Sequence, residues 1–121
     1  MSPRLRYRNL LLILAGVAGL LLKRWFARWL GDAALAYGGN LSASFAVYFL
    51  ALMVPVRGLT RVTAAMLALV VVQAFELTDG FGVMSNTYDP YDYLANTIGI
   101  ALAVCVDAAS SRILGDRANT A

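Results

Sequence analysis

The residues with the greatest chemical potential fall in one segment. It reads Gln73-Ala-Phe-Glu76-Leu-Thr-Asp79-Gly-Phe-Gly-Val-Met-Ser-Asn86-Thr-Tyr-Asp89-Pro-Tyr-Asp92-Tyr-Leu-Ala-Asn96-Thr-Ile-Gly99. Four of the seven acidic residues of the chain lie here, with no Lys or Arg among them. Such a cluster suits a polar or cationic ligand: Glu76, Asp79, Asp89 and Asp92 supply charge, and Asn96 supplies orientation. Tyr88, Tyr91 and Tyr93 would form an aromatic wall. Hard cations also take oxygen ligands, but the spacing follows no EF-hand loop, so neither a metal nor a cofactor is expected.

Much other chemistry is excluded. The chain has no His and one Cys, which removes the Ser-His-Asp triad and zinc-finger sites. No nucleophile elbow and no phosphate loop occurs, so a hydrolase or transferase built on paired carboxylates ranks last among the functions considered. Cys105 reads as one apolar residue of a helix. The net charge of +3 does not form one solvated basic patch, so no nucleic-acid partner is expected.

Helical spacing places the polar residues on shared faces. Gln73 and Glu76 are three apart at the end of one apolar run, and Asp92, Asn96 and Gly99 form a stripe at i, i+4 and i+7 on the next. Gly99 there permits close approach of another helix. Asp89-Pro90 is a good helix start, with the acid as cap and proline at the first position, and Asp92 suits the helix dipole. Glu76 and Asn96 are less easily explained by capping. Either they are interhelical polar glue, with Gln73, Glu76, Asp92 and Asn96 satisfying one another if Glu76 is protonated, or they line a ligand site. Asp107 lies eleven residues after Asn96, about 20° past three full turns, so it also faces inward. Its expected partner is a basic residue between Arg57 and Arg61, or Arg112.

The elements that must carry these residues are membrane helices. Of 121 residues, 60% are hydrophobic and 14% charged, against about 25% charged in soluble domains, and so small a domain has too little interior to hide the excess. The charge-free stretches are Asn9–Leu22, Ala33–Val56, Val62–Phe75 and Tyr93–Val106. They predict an all-α integral membrane bundle of four main transmembrane helices in a single domain, with spans near 9–22, 35–56, 62–77 and 91–109. Arg6, Arg8, Lys23 and Arg24 extend the short runs by snorkelling to headgroups. Lys23, Arg24 and Trp25 follow the first run where a signal-peptide cleavage site would need small residues, so that helix is expected to be retained. Trp25 and Trp29, four apart, mark either a short interfacial helix or a plain loop with belt aromatics.

Basic residues set the orientation. Arg4, Arg6, Arg8, Arg57, Arg61, Arg112 and Arg117 fall on one side, and Lys23, Arg24 and Arg28 on the other. Seven against three puts both termini in the cytoplasm of a multi-pass cell-membrane protein. The segment 79–89 is then an irregular outer loop, rich in turn-forming Gly80, Gly82, Ser85 and Asn86.

The acidic segment resembles the VanZ-like membrane protein family. That family's pattern has a Glu at the end of one span, often in Glu-x-x-Gln, a loop that usually carries an Arg, and then Asp-x-x-Asp-x-x-x-Asn-x-x-Gly. Glu76 matches the first position, and Asp89, Asp92, Asn96 and Gly99 match the last motif. Asp79 stands in place of the Gln, and the loop has no Arg. The resemblance covers the second half of the chain. It implies a membrane-embedded function at the cell envelope, with the family named for a glycopeptide-resistance accessory protein. Two functions compete: a small envelope protein whose outer acidic pocket binds a polar or cationic group, and an accessory subunit whose polar residues only pack helices. The lipid bilayer is the expected partner, with a membrane protein or a second copy against the small residues of the first and last helices.

Overall fold

The computed structural model describes residues 3–55, 58–77 and 90–114, without the side chains of residues 27, 32–36, 77 and 90. The described chain is all-helical: α1 (Pro3–Leu21), α2 (Lys23–Leu30), α3 (Asp32–Leu52), α4 (Arg61–Leu77) and α5 (Pro90–Ile113). At 1.5 Å per residue, α3 is about 31 Å long and α4 about 25 Å.

Local sequence explains several of the boundaries. The second charge-free stretch continues to Val56, but α3 stops at Leu52 and Met53 closes it. Pro55 stands just beyond and disfavours helical backbone in the residue before it. Thr60 caps α4, its Oγ1 accepting from the Thr63 N–H at 3.2 Å. Pro90 opens α5, Asp92 lies in its first turn and Arg112 in its last, each with the sign the dipole favours. Between α2 and α3, Gly31 adopts φ 89°, a left-handed turn that a side chain would resist.

The central element is α3, which packs against each of the other four helices. Two close approaches hold it. A Cβ on Gly16 of α1 would lie 2.9 Å from both Ala46 Cβ and the Ser42 carbonyl oxygen. A Cβ on Gly99 of α5 would collide with the carbonyl of Leu41. The apolar core gathers Tyr48 and Phe49 with Ala64, Ala68 and Val72 of α4 and Ile100 and Ala103 of α5.

Polar residues share the interior with this apolar core, and many large aliphatic residues face outward. Asn9, Ser44, Asn96, Asp107 and Ser111 are buried, while Leu11, Leu14, Val62, Met66, Val70 and Ile98 are exposed. On α4 the inward positions are Ala64 and Ala68, and the larger Val62, Met66 and Val70 point out. By length and composition, one described helix, Tyr91–Ile113, is apolar enough to cross a membrane. The number rises to two if α1 and α2, bent by 63°, count as one span.

Candidate functional site

Two polar centres lie between the helices, one toward each end of α5. The first is built on Asn96, which is 3% exposed. The Ser44 hydroxyl donates to Asn96 Oδ1 at 2.8 Å, and Asn96 Nδ2 donates to Gln73 Oε1 at 3.2 Å. The Gln73 amide in turn donates to the Tyr93 carbonyl at 3.3 Å. One asparagine thus ties α3, α4 and α5 together. The expected pairing of Gln73 with Asn96 is present, and Ser44 is a partner that the sequence did not single out.

The acidic residues adjoin this tie. Glu76, half-buried, is one turn beyond Gln73 in the last turn of α4, and Asp92, also half-buried, is one turn before Asn96 in the first turn of α5. The Gln73–Asn96 bond therefore sets their helix ends side by side. Tyr91 packs edge-on against Tyr37 of α3, with ring centroids 6.2 Å apart. Asp79 and Asp89, the expected loop ligands and helix cap, lie outside the described residues, as does Tyr88.

The second centre is built on Asp107, also 3% exposed. Its Oδ1 accepts from Arg8 Nη1 at 2.8 Å and from the Ser111 hydroxyl at 3.2 Å. Its Oδ2 accepts from the Tyr48 hydroxyl at 2.5 Å and from Arg61 Nε at 3.0 Å. Residues of α1, α3, α4 and α5 converge on one carboxylate, at the end of the bundle where α1 and α4 begin and α3 and α5 finish.

Arg8 is the most extensively bonded of these donors. Besides Asp107 it reaches the Ser110 and Ser111 hydroxyls at 3.0 and 2.9 Å. Its Nη2 donates to Asn9 Oδ1 at 2.5 Å, and its guanidinium lies 5.6 Å from the centre of the Phe49 ring. Burying ions is costly unless each charge is paired and its remaining hydrogen-bonding groups are satisfied. That condition is met: among the described residues no buried side-chain nitrogen or oxygen lacks a partner.

Sequence reasoning turned Asp107 inward and offered Arg61 among its partners, and both features are present. It sent Arg8 outward to the headgroups, whereas Arg8 turns inward, its side chain 10% exposed in the ion pair. Tyr48 and Asn9 were missed. Asn9 did carry a signal, since an amide at the head of an apolar run needs partners. Both oxygens of Asp107 are occupied by donors, which makes the carboxylate an anchor between helices. Among the described side chains Glu76 and Asp92 are the other acidic ones, and they adjoin the segment whose sequence holds Asp79 and Asp89.

Comparisons with protein-family models, with curated proteins and with solved structures gave no match.

Proposed function

We propose that the protein is a four-span, multi-pass membrane protein of the cell envelope, VanZ-like in type, with both termini in the cytoplasm. Its outer acidic end binds a polar or cationic group. The observation that carries the membrane reading is an aliphatic exterior combined with paired polar residues inside the bundle. Aliphatic side chains cover the outside of α1, α4 and α5, while Asn, Ser, Asp and Arg are paired within. In a bilayer, polar groups must find partners inside the bundle, and the lipid solvates the aliphatic exterior. Under this reading α1, α3, α4 and α5 cross the membrane. The helix α2 lies along its surface, because Lys23, Arg24 and Arg28 would each cost about 2.5–3.5 kcal/mol at the centre of a bilayer.

In the binding site, Glu76 and Asp92, with Asp79 and Asp89 of the loop, supply negative charge. Asn96, bonded to Ser44 and Gln73, fixes the floor beneath the acids. Tyr91 offers a ring to an organic cation.

A second reading, an accessory subunit with purely structural polar residues, is favoured by the same internal use of Asn96. One experiment separates the two. Full-length protein in nanodiscs is heated with and without choline, used as an organic-cation probe. Stabilisation of the wild type that vanishes in the Glu76→Gln/Asp92→Asn double variant supports binding. No effect of choline on the wild type favours the accessory role. Reporter fusions at residue 85 and at the C-terminus test the topology, which requires opposite compartments.

A further inference from the structure

We infer that α2 is a docking surface for anionic phospholipid, gathering phosphate-bearing headgroups at the membrane face opposite the chain termini. The inference rests on the membrane reading above and adds a lipid class to it.

The helix has two faces of different chemistry. At 100° per residue, Trp25, Trp29, Phe26 and Leu30 cover an arc of about 140°, and Arg24 and Arg28 stand together on the other side. Both sets are exposed. Trp25 is 53% accessible, Trp29 75% and Leu30 70%, and Arg24 and Arg28 are open as well. Lys23 is differently engaged: it leans back on α3, with its Nζ 3.3 Å from where a Cβ of Gly39 would stand. The two arginines, one helical turn apart, are thus the cations that α2 presents outward.

Charge and shape together select the occupant. The sequence of α2 contains three basic residues and no acid. A neutral lipid surface would satisfy the indole rings and leave the guanidiniums with no counter-charge. A free phosphate would satisfy the arginines and leave four large apolar side chains in water. An anionic phospholipid does both, with acyl chains under the Trp25–Trp29 face and the phosphate against Arg24 and Arg28. The axis of α2 is bent by 63° from that of α1, so the short helix does not continue the first span. The same inference accounts for Arg24 and Arg28 on the side that the positive-inside rule would leave poor in charge.

Trp25 and Trp29 are the only tryptophans of the chain, so emission excited selectively from tryptophan reports on α2 alone. Full-length protein is reconstituted in nanodiscs of phosphatidylcholine and phosphatidylglycerol, with bromines on the acyl chains of one lipid or the other at equal mole fraction. Brominated phosphatidylglycerol should quench preferentially, corresponding to about fivefold enrichment around α2 for each arginine engaged. The preference should fall to near unity in the Arg24→Gln/Arg28→Gln double variant and weaken in high salt. Equal quenching by both lipids overturns the inference, as does a preference that survives the double variant. Blue-shifted emission that neither lipid quenches also overturns it, since a second copy or another protein then covers the helix. Failure of the membrane reading is distinct: the chain would separate from the nanodiscs, with emission typical of tryptophan in water.

Discussion

Arg8 in α1 and Asp107 in α5 are 99 positions apart in sequence and form an ion pair of 2.8 Å inside the bundle. With Arg61 on the other carboxylate oxygen, the pair joins the first, fourth and fifth helices at one end. Removing one partner from a buried pair leaves an uncompensated charge and typically costs about 3–5 kcal/mol. Asp107→Ala strands two guanidiniums and is expected to lose that much, read as a lowered thermal midpoint in detergent. Asp107→Asn should lose less, because its amide oxygen still accepts. A wild-type midpoint in Asp107→Ala would show that the convergence contributes nothing to stability.

Tyr48 gives a cleaner measure of one bond in this network. Its hydroxyl donates to a charged oxygen at 2.5 Å, and its ring sits edge-on to Phe49 with centroids 5.1 Å apart. Tyr48→Phe retains the ring and removes the donor. The expected loss is about 1.5–3 kcal/mol, the range for hydrogen bonds to charged groups. Chemical denaturation of the two proteins in the same detergent measures it, and equal stability would mean that Arg8, Arg61 and Ser111 satisfy Asp107 without the tyrosine.

The part of this architecture legible in the sequence is the part that periodicity controls. Asp107 could be turned inward because eleven residues return a helix almost to the face of Asn96. Gln73 and Asn96 could be paired because each was a polar side chain in an apolar helix. Arg8 was read wrongly for a physical reason: a charge at the edge of an apolar run fits a lipid headgroup as well as it fits a buried acid. The expected topology already put Arg8, Arg61 and the end of the last helix on one side, but only the three-dimensional arrangement shows Arg8 turned inward onto Asp107. Tyr48 was invisible because tyrosine is common in apolar helices, and its partner lies 59 positions away. Of the five residues expected to bind a ligand, Glu76, Asp92 and Asn96 are placed at one end of the bundle, while Asp79 and Asp89 fall outside the described residues.

Gly99 and Gly38 should respond oppositely to alanine. A Cβ at Gly99 would run into the Leu41 carbonyl, while one at Gly38 meets nothing within 4 Å. Backbone cannot move aside as a side-chain tip can, so Gly99→Ala must push α5 off α3, at a cost of about 1–3 kcal/mol. Gly38→Ala should be neutral or stabilising by up to about 1 kcal/mol through helix propensity. Thermal midpoints of the two variants check the contrast, and equal behaviour would argue against the α3–α5 packing described.

The Ser44–Asn96 bond can be measured by a double-mutant cycle of Ser44→Ala and Asn96→Ala. Hydrogen bonds between membrane helices average about 0.6 kcal/mol in such cycles, with about 1.7 kcal/mol at the upper end. Coupling in that range is expected, because the hydroxyl donates directly to Asn96 Oδ1. The single Asn96→Ala change should cost more than the coupling, since Gln73 also loses its donor. Strict additivity would remove Ser44 from the centre.

Glu76 separates stability from function. It sits one turn beyond Gln73, at a helix end where the dipole disfavours an anion. Glu76→Gln keeps the size and hydrogen-bonding reach of the side chain and removes its charge. Folding should be preserved, because the amide still donates and accepts hydrogen bonds. Stabilisation by choline should fall at the same time, because the charge that attracts the cation is gone. Glu76→Leu should reduce both, since it also removes the polar atoms that the helix end presents beside Asp92. Normal stability and an undiminished choline response in Glu76→Leu would remove this residue from the site and leave the acidic end without its α4 carboxylate.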